Sequence, residues 1–432
     1  MKNLFKYWLL FFLLVIAVSC NVFKKTSTPR NLEGIYNPAS SSIHPRIKVY
    51  NNSDTSSLII ERVFTKDLLF NQANSDNKLL ARIKIVYNLY DLNKKQILAD
   101  SSTTTFKFEK DPDILFFTTE VPVKAIKGNN YLLEIITTDL NRKNSQYSFL
   151  RIDRTRETNL QDFVVYNGPK KEYLINSYIN EKKEFGIKFY VEDLDSLNVY
   201  FFANNFIIPQ APDFEDTLRD NFENVDTSWI CYLDSIKYQN YNREGIYYFT
   251  KTGKIYNESS GGLAFFNFGE AFPIVRTPED LAKPIFYLGT LDSIPYSDST
   301  GKLTKLAVDN FWLGKANNID KSRELIKAFY NRVMLANKYF TSYKEGWQTD
   351  RGMIYIIYGL PDYLYKSGDE ERWIYNPTGL GTGVTFIFKY AEHPFSLNHY
   401  VLDREKLKFT GWDEAIKMWN NGEIFYFQNT EE

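Results

Sequence analysis

Cysteine is nearly absent. The 432 residues hold two, Cys20 and Cys231, so no disulfide framework staples this chain. Histidine is as scarce: His44, His393 and His399 are too few and too scattered to compose a zinc site, and neither HExxH nor a paired CxxC occurs. No metal is expected, and no cofactor apart from a covalent lipid. An excess of charge is also missing. Lys plus Arg total 52 against 53 Asp plus Glu, a net charge of -1, which leaves no field to hold nucleic acid. Walker loops and GxSxG elbows are missing as well, and Gly379-Leu380-Gly381-Thr382-Gly383 lies between strand-like runs, where it reads as a hairpin loop instead of a phosphate cradle. The acids Asp369, Glu370 and Glu371 fall in a polar stretch and are expected to be solvated. No catalytic residue emerges, and no enzyme is expected.

Long apolar runs are limited to one place. Lys2 and Lys6 precede Trp8 to Ile16, and small residues then lead to Cys20, the layout of a signal peptide over residues 1–19. Ala17-Val18-Ser19-Cys20 resembles a bacterial lipobox, with Ala17 where Leu is usual, which implies that Cys20 is the lipidation site. Residues 20–45 read as a lipidated tether, polar and short of apolar pattern. Surface-displayed lipoproteins of the Bacteroidota resemble one another in an acidic cluster after that cysteine. Here Lys24 and Lys25 stand instead, and no acid precedes Glu33, so the resemblance implies the periplasmic face of the outer membrane, with the cell surface as the alternative.

Aromatic residues are plentiful at 17%, which suits strands and packed sheets. Ala81, Ile83, Ile85, Tyr87 and Leu89 alternate with more polar residues, one apolar pleat face of a half-buried strand. Runs of this kind predict an immunoglobulin-like β-sandwich over 46–153 and a second over 154–275. Within the second, Cys231 sits among aromatic and aliphatic neighbours and reads as a buried thiol. The acidic stretch Asp213 to Asp226 lacks the ordered alternation of a calcium loop and reads as a solvated loop. From residue 276 to 432 the pattern becomes α+β: a helix capped by Asp320 over Lys321 to Tyr339, strands at Met353–Tyr358, Arg372–Tyr375 and Val384–Tyr390, a short helix at Trp412–Trp419, and a last strand at Ile424–Phe427. The chain is therefore read as a mainly β multidomain protein.

Gly346-Trp347-Gln348-Thr349-Asp350, continued by Arg351-Gly352-Met353-Ile354-Tyr355-Ile356-Ile357-Tyr358-Gly359-Leu360-Pro361-Asp362, resembles the signature of the GWxTD domain family, with similarity from about Pro278 to Tyr400. The resemblance implies a bacterial envelope protein, often a lipoprotein, and carries no reaction with it. Read from the residues themselves, Gly346 supplies a turn, Trp347 a core anchor, and Thr349 or Asp350 an oxygen for backbone amides, while Asp350 and Arg351 are the pair that a ligand cleft would use. Together these readings favour a non-enzymatic lipoprotein anchored to the membrane through Cys20. It would act as a scaffold or accessory subunit for an outer-membrane or periplasmic protein partner in secretion, motility or envelope assembly. The alternative is a surface lipoprotein that binds glycans by stacking sugars on exposed aromatic rings.

Overall fold

A computed structural model describes residues 30–73, 78–167, 172–179, 185–189, 194–215, 220, 222, 224–232, 241–251, 261–289, 303–316, 318–376, 383–407 and 409–426. The signal peptide, Cys20, and residues 377–382 of the glycine-rich loop lie outside this set.

Period-two alternation builds the N-terminal half. Its strands are β1 (Arg46–Asn51), β2 (Ser57–Phe64), β3 (Gln72–Ala73), β4 (Leu79–Asp91), β5 (Ile97–Glu109), β6 (Phe116–Val123), β7 (Asn130–Asp139) and β8 (Asn144–Asp153). One antiparallel sheet has the order β1-β2-β6; the other runs β3-β4-β7-β8, with β5 paired to β4. Ala81, Ile83, Ile85, Tyr87 and Leu89 of β4 all point inward, where they meet Ile59 and Val63 of β2 and Val121 and Val123 of β6 in one core. A slip of one residue would turn this whole set to solvent, so the burial pattern fixes the register.

The second sandwich joins β9 (Phe163–Asn167), β10 (Glu172–Tyr173) and β11 (Phe185–Phe189), in the order β10-β9-β11, to a four-stranded sheet. That sheet runs β13-β12-β14-β15 from β12 (Ser196–Ala203), β13 (Thr227–Tyr232), β14 (Gly245–Thr250) and β15 (Leu263–Asn267). Phe163, Val165, Leu197, Val199, Phe201, Phe249 and Phe265 fill the space between the two sheets, and Cys231 is buried with them. Part of the outer surface of each sandwich is covered by a neighbour. Tyr50 and Ile60 pack on Val164 and Ile175, joining the first sandwich to the second, while Ile246, Tyr248 and Phe266 pack on Tyr343 and Phe395 of the C-terminal part.

The C-terminal part is α+β, with helices α1 (Pro278–Ala282), α2 (Lys305–Lys315), α3 (Ile319–Phe340), α4 (Asp350–Tyr358) and α5 (Trp412–Asn420). Its antiparallel sheet has the order β16-β17-β18-β19 from β16 (Tyr363–Lys366), β17 (Glu370–Tyr375), β18 (Val384–Tyr390) and β19 (Tyr400–Leu402). β17 and β18 pair up to Tyr375 opposite Val384, so the glycine-rich segment joins two antiparallel neighbours.

Several sequence expectations change here. Met353–Tyr358, expected as a strand, is helical within α4. All nine residues of α4 are buried, and an apolar run with no polar face has no periodicity to separate helix from strand. Asn318, not Asp320, caps α3, accepting from the Lys321 amide at 2.8 Å, and Asp320 sits in the first turn. Ile424–Tyr426 forms no strand; Phe425 instead drops into the core. The expected tether ends early, because Leu32 and Tyr36 are buried in the C-terminal core and the Leu32 amide donates to the carbonyl of Leu364.

Candidate functional site

The sequence motif lies between α3 and α4, where Gly346, Trp347, Thr349 and Asp350 are each committed to an internal contact and Gln348 is buried with its Oε1 lacking a hydrogen-bond partner. A side chain at Gly346 would collide with the carbonyl oxygen of Ala336 in α3, and one at Gly352 would collide with the carbonyl oxygen of Gly346. Only glycine lets the two helices and the connecting turn approach this closely. Trp347 is buried against Tyr287; its amide donates to the Asn337 Oδ1 at 3.0 Å, and its carbonyl accepts from the Tyr287 hydroxyl at 2.8 Å. Thr349 caps α4: its Oγ1 accepts from the Gly352 amide at 3.1 Å and donates to the Gly346 carbonyl at 2.8 Å. Asp350 reaches across to the sheet, where Oδ2 accepts from the Leu402 amide at 2.9 Å and Oδ1 from Arg404 at 3.0 Å. Trp347 is thus a junction residue between two helices, not between helix and strand.

Arg351 leads into a cluster that sequence reasoning did not assemble. Its Nη1 donates to Glu371 Oε1 at 2.9 Å, and Nη2 donates to the Asn398 carbonyl and side-chain oxygens at 2.9 and 2.7 Å. Lys366 pairs with the same carboxylate, and the Tyr36 hydroxyl donates to both of its oxygens at 2.9 and 3.0 Å. The Tyr400 ring lies under both cations, 4.2 Å from the guanidinium of Arg351 and 4.8 Å from the ammonium of Lys366. Glu371, expected to be solvated with its acidic neighbours, is fully buried. It alternates with Trp373 and Tyr375 along β17, so the strand's period aims it at the core along with them.

Burial pushes the Glu371 carboxyl up, but the Lys366 ammonium, the Arg351 guanidinium and the Tyr36 hydroxyl outweigh it and hold it at about 2. Burial lowers Lys366 and Arg351, yet Glu371 beside them carries both above their ordinary values. Burial and then the Glu371 charge raise Tyr36. None of these four groups exchanges a proton near neutrality, so the cluster is suited to holding elements together and not to acid–base chemistry. Beside the motif, burial pushes Glu345 up to about 7 against the opposing charge of Lys283.

A second buried basic group anchors the far end of α4. Arg332 of α3 donates to the carbonyls of Ile356 and Ile357 at 3.0 and 2.9 Å and to that of Phe425 at 3.1 Å. It satisfies the last carbonyls of α4, where a cation also complements the helix dipole.

The histidines and the acidic stretch also differ from expectation. His393 and His399 come together, their rings 5.3 Å apart, with His393 stacked on Tyr343 at 3.9 Å, while His44 lies elsewhere against Pro38. Burial lowers His393 to about 2 and His399 to about 4, so both are neutral at ordinary pH. Among the described residues no group of three or more metal-ligating side chains forms. Asp213 accepts from Thr410, Asp220 from Tyr343 and Lys344, and Asp226 from the Ala203 amide, so these acids pin their segment to its neighbours, while Asp213 and Asp226 remain exposed to solvent.

Residues 245–421 match the family described as the GWxTD domain. The chain carries a GWxTD domain. The match begins at Gly245, well before the Pro278 from which the sequence resemblance was read, and so takes in β14 and β15. The packing accounts for that earlier start, because the outward face of these strands, through Ile246, Tyr248 and Phe266, shares a core with Tyr343 and Phe395 of the GWxTD domain. No curated protein matches the chain. Among solved structures it is similar to Bacteroides uniformis β-glucuronidase 2 covalently bound to cyclophellitol-6-carboxylate aziridine, at 11% identity and a TM-score of 0.16, over 26% of this chain and 13% of that one. It is likewise similar to a Bacteroides uniformis β-glucuronidase at 10% identity and a TM-score of 0.17, over 34% of this chain and 14% of that one. At such scores the likeness carries no argument about fold or activity.

Proposed function

We propose that this protein is a non-enzymatic lipoprotein of the bacterial envelope, anchored through Cys20 to the periplasmic face of the outer membrane. There it serves as a scaffold or accessory subunit for a protein partner in secretion, motility or outer-membrane assembly. One observation carries the reading: the GWxTD motif and the charges around it are spent on internal contacts, and the cluster ties in Tyr36, sixteen residues after Cys20. A domain held this way passes force or position from an anchor to the body of the protein. It offers no open nucleophile or base at the motif. No helix among the described residues is long and apolar enough to cross a membrane, which leaves attachment to the lipid on Cys20 in this proposal.

The test is metabolic labelling with a clickable fatty acid, followed by cross-linking in native membranes. Wild-type protein should take the label, the Cys20→Ser variant should stay unlabelled and unprocessed, and cross-linking should trap a defined complex. Label persisting on the variant would overturn the anchor, and a lone monomer after cross-linking at native expression would overturn the scaffold.

A further inference from the structure

The C-terminal sheet has two faces of different fate. Leu364, Trp373, Tyr375, Phe386 and Phe388 point into the core. Their alternates form the other face in register: Tyr363 opposite Ile374 and Ile374 opposite Thr385, then Tyr365 opposite Arg372 and Arg372 opposite Ile387. None of these six residues belongs to any of the protein's hydrophobic cores, and Tyr363 is 39% exposed. The face combines two stacked tyrosines, ring centroids 6.4 Å apart, with isoleucines and with Arg372, which pairs with Glu370 at 3.1 Å beside Lys389 on the same face, and exposed Leu360 lies just before β16. Tyrosine beside aliphatic and basic side chains is the mixture that suits the headgroup zone of a bilayer, where one end of a side chain is apolar and the other wet.

The chain's entry point says which surface should cover this face. Asn31 brackets Tyr363 at the edge of the sheet: its Nδ2 donates to the Asp362 carbonyl at 2.9 Å, and its Oδ1 accepts from the Leu364 amide at 2.9 Å. Eleven positions separate Asn31 from Cys20 in sequence, a span of at most about 40 Å even when fully extended. That span includes Lys24 and Lys25, which favour an anionic surface, while Arg30 lies over the Tyr147 ring of β8 at 3.7 Å. A lipid at Cys20 therefore keeps this edge of the GWxTD domain, together with β8 beside Arg30, within about 40 Å of the membrane.

We propose that the outer face of β16-β17-β18, led by Tyr363 and Tyr365, rests on the headgroups of the membrane that holds the lipid anchor. The proposal rests on the anchor reading above and adds an orientation to it: the GWxTD domain lies on the membrane, held there by the sheet face as well as by the acyl chains. A partner would then meet the protein on other surfaces.

The test uses full-length acylated protein reconstituted in phosphatidylethanolamine–phosphatidylglycerol vesicles doped with a nickel-chelating lipid. A nitroxide label is placed at Thr385→Cys on the proposed face or at Thr103→Cys on β5 of the first sandwich, with wild-type protein as the blank for buried Cys231. Nickel should relax the Thr385 label severalfold more than the Thr103 label. The combined Tyr363→Ser and Tyr365→Ser variant should lose that difference while keeping its melting temperature and its acyl mass. Equal relaxation at both positions, with acyl chains intact by mass, would overturn the orientation and leave the anchor standing. Missing acyl chains would overturn the anchor and the orientation with it. Shielding of Thr385 in native membranes but not in lipid vesicles would assign the face to a protein, and the proposal would fall.

Discussion

The Tyr36 hydroxyl donates to both carboxylate oxygens of Glu371, at 2.9 and 3.0 Å, across 335 positions of sequence. This contact closes the protein on itself, because the segment that precedes the first sandwich is built into the domain that follows the second. Removing the hydroxyl leaves a buried carboxylate one donor short, and hydrogen bonds to charged groups contribute about 1.5–3 kcal/mol. Tyr36→Phe should therefore destabilise the GWxTD domain by about that much. Deletion of residues 31–36 should cost more, since it also uncovers Leu32 and leaves the edge of β16 unpaired. Chemical denaturation of full-length variants, followed by tryptophan fluorescence, measures both; a Tyr36→Phe protein as stable as wild type would show that the contact contributes nothing.

Glu371 predicts an acid limit. Its folded pKa lies at about 2, below the ordinary value of 4.5, so the folded state binds fewer protons than the unfolded one between those limits. Its contribution is fully present above pH 4.5 and is lost as pH falls through about 2. The loss amounts to roughly 3 kcal/mol at 1.36 kcal/mol per unit. Arg351→Met removes one of the cations that hold the carboxyl down, so this variant should lose stability at a higher pH than wild type. Acid unfolding curves of the two proteins compare the limits directly. The cost of Arg351→Met at neutral pH should reach about 3–5 kcal/mol, as for other broken buried pairs.

How much of this was legible in the sequence depends on which faces of an element are buried. β4 was readable because only one face of it is covered, so the alternation of Ala81 to Leu89 survives in the residue types. α4 was not readable as a helix, because Met353 to Tyr358 are covered on every side and its cap, Thr349, looks no different from a turn residue. Glu371 could have been found: two steps from Trp373 and four from Tyr375 on one strand, it had to share their face. Tyr36 could not, because its partner is fixed by the meeting of the two ends of the chain. Trp347 is buried and Thr349 gives its oxygen to a backbone amide, but that amide opens a helix where the sequence reads as a turn into a strand, and Asp350 bonds across to Leu402 and Arg404 in a way no local spacing announces.

The first sandwich has the opposite pH response. Glu61 of β2 points inward between Ile59 and Val63, with Oε1 accepting from Thr137 at 2.8 Å and Oε2 buried without a hydrogen-bond partner. Burial pushes its carboxyl up to about 7, only partly opposed by the Thr137 hydroxyl. A raised folded pKa means that the folded state holds the proton more tightly than the unfolded one. The stability from this group is therefore fully present below pH 4.5 and is lost as pH rises through about 7, a loss of up to about 3 kcal/mol. Glu61→Gln should abolish that slope. Its stability should match wild type at pH 4 and exceed it above pH 7, and parallel curves for the two proteins across this range would refute the assignment.

Trp347 distinguishes an architectural motif from a recognition surface. The indole is 1% exposed and packs against Tyr287, so Trp347→Ala removes a large buried side chain from the junction of α3 and α4. Transfer and cavity terms for such a change come to about 3–5 kcal/mol, comparable to much of the stability of one domain. The damage should spread along the shared core to β14 and β15, whose outer face packs on Tyr343 and Phe395, and should spare the first sandwich, whose core is separate. Limited proteolysis of the variant should then cut within residues 245–421 while leaving a resistant fragment that holds β1 to β8. Gly346→Ala should fail in the same region for a different reason, a clash with the Ala336 carbonyl that no side-chain rotation relieves. A Trp347→Ala protein with unchanged melting temperature and wild-type protease resistance would mean that the indole's burial stabilises nothing, and the motif would have to be read as a binding surface instead.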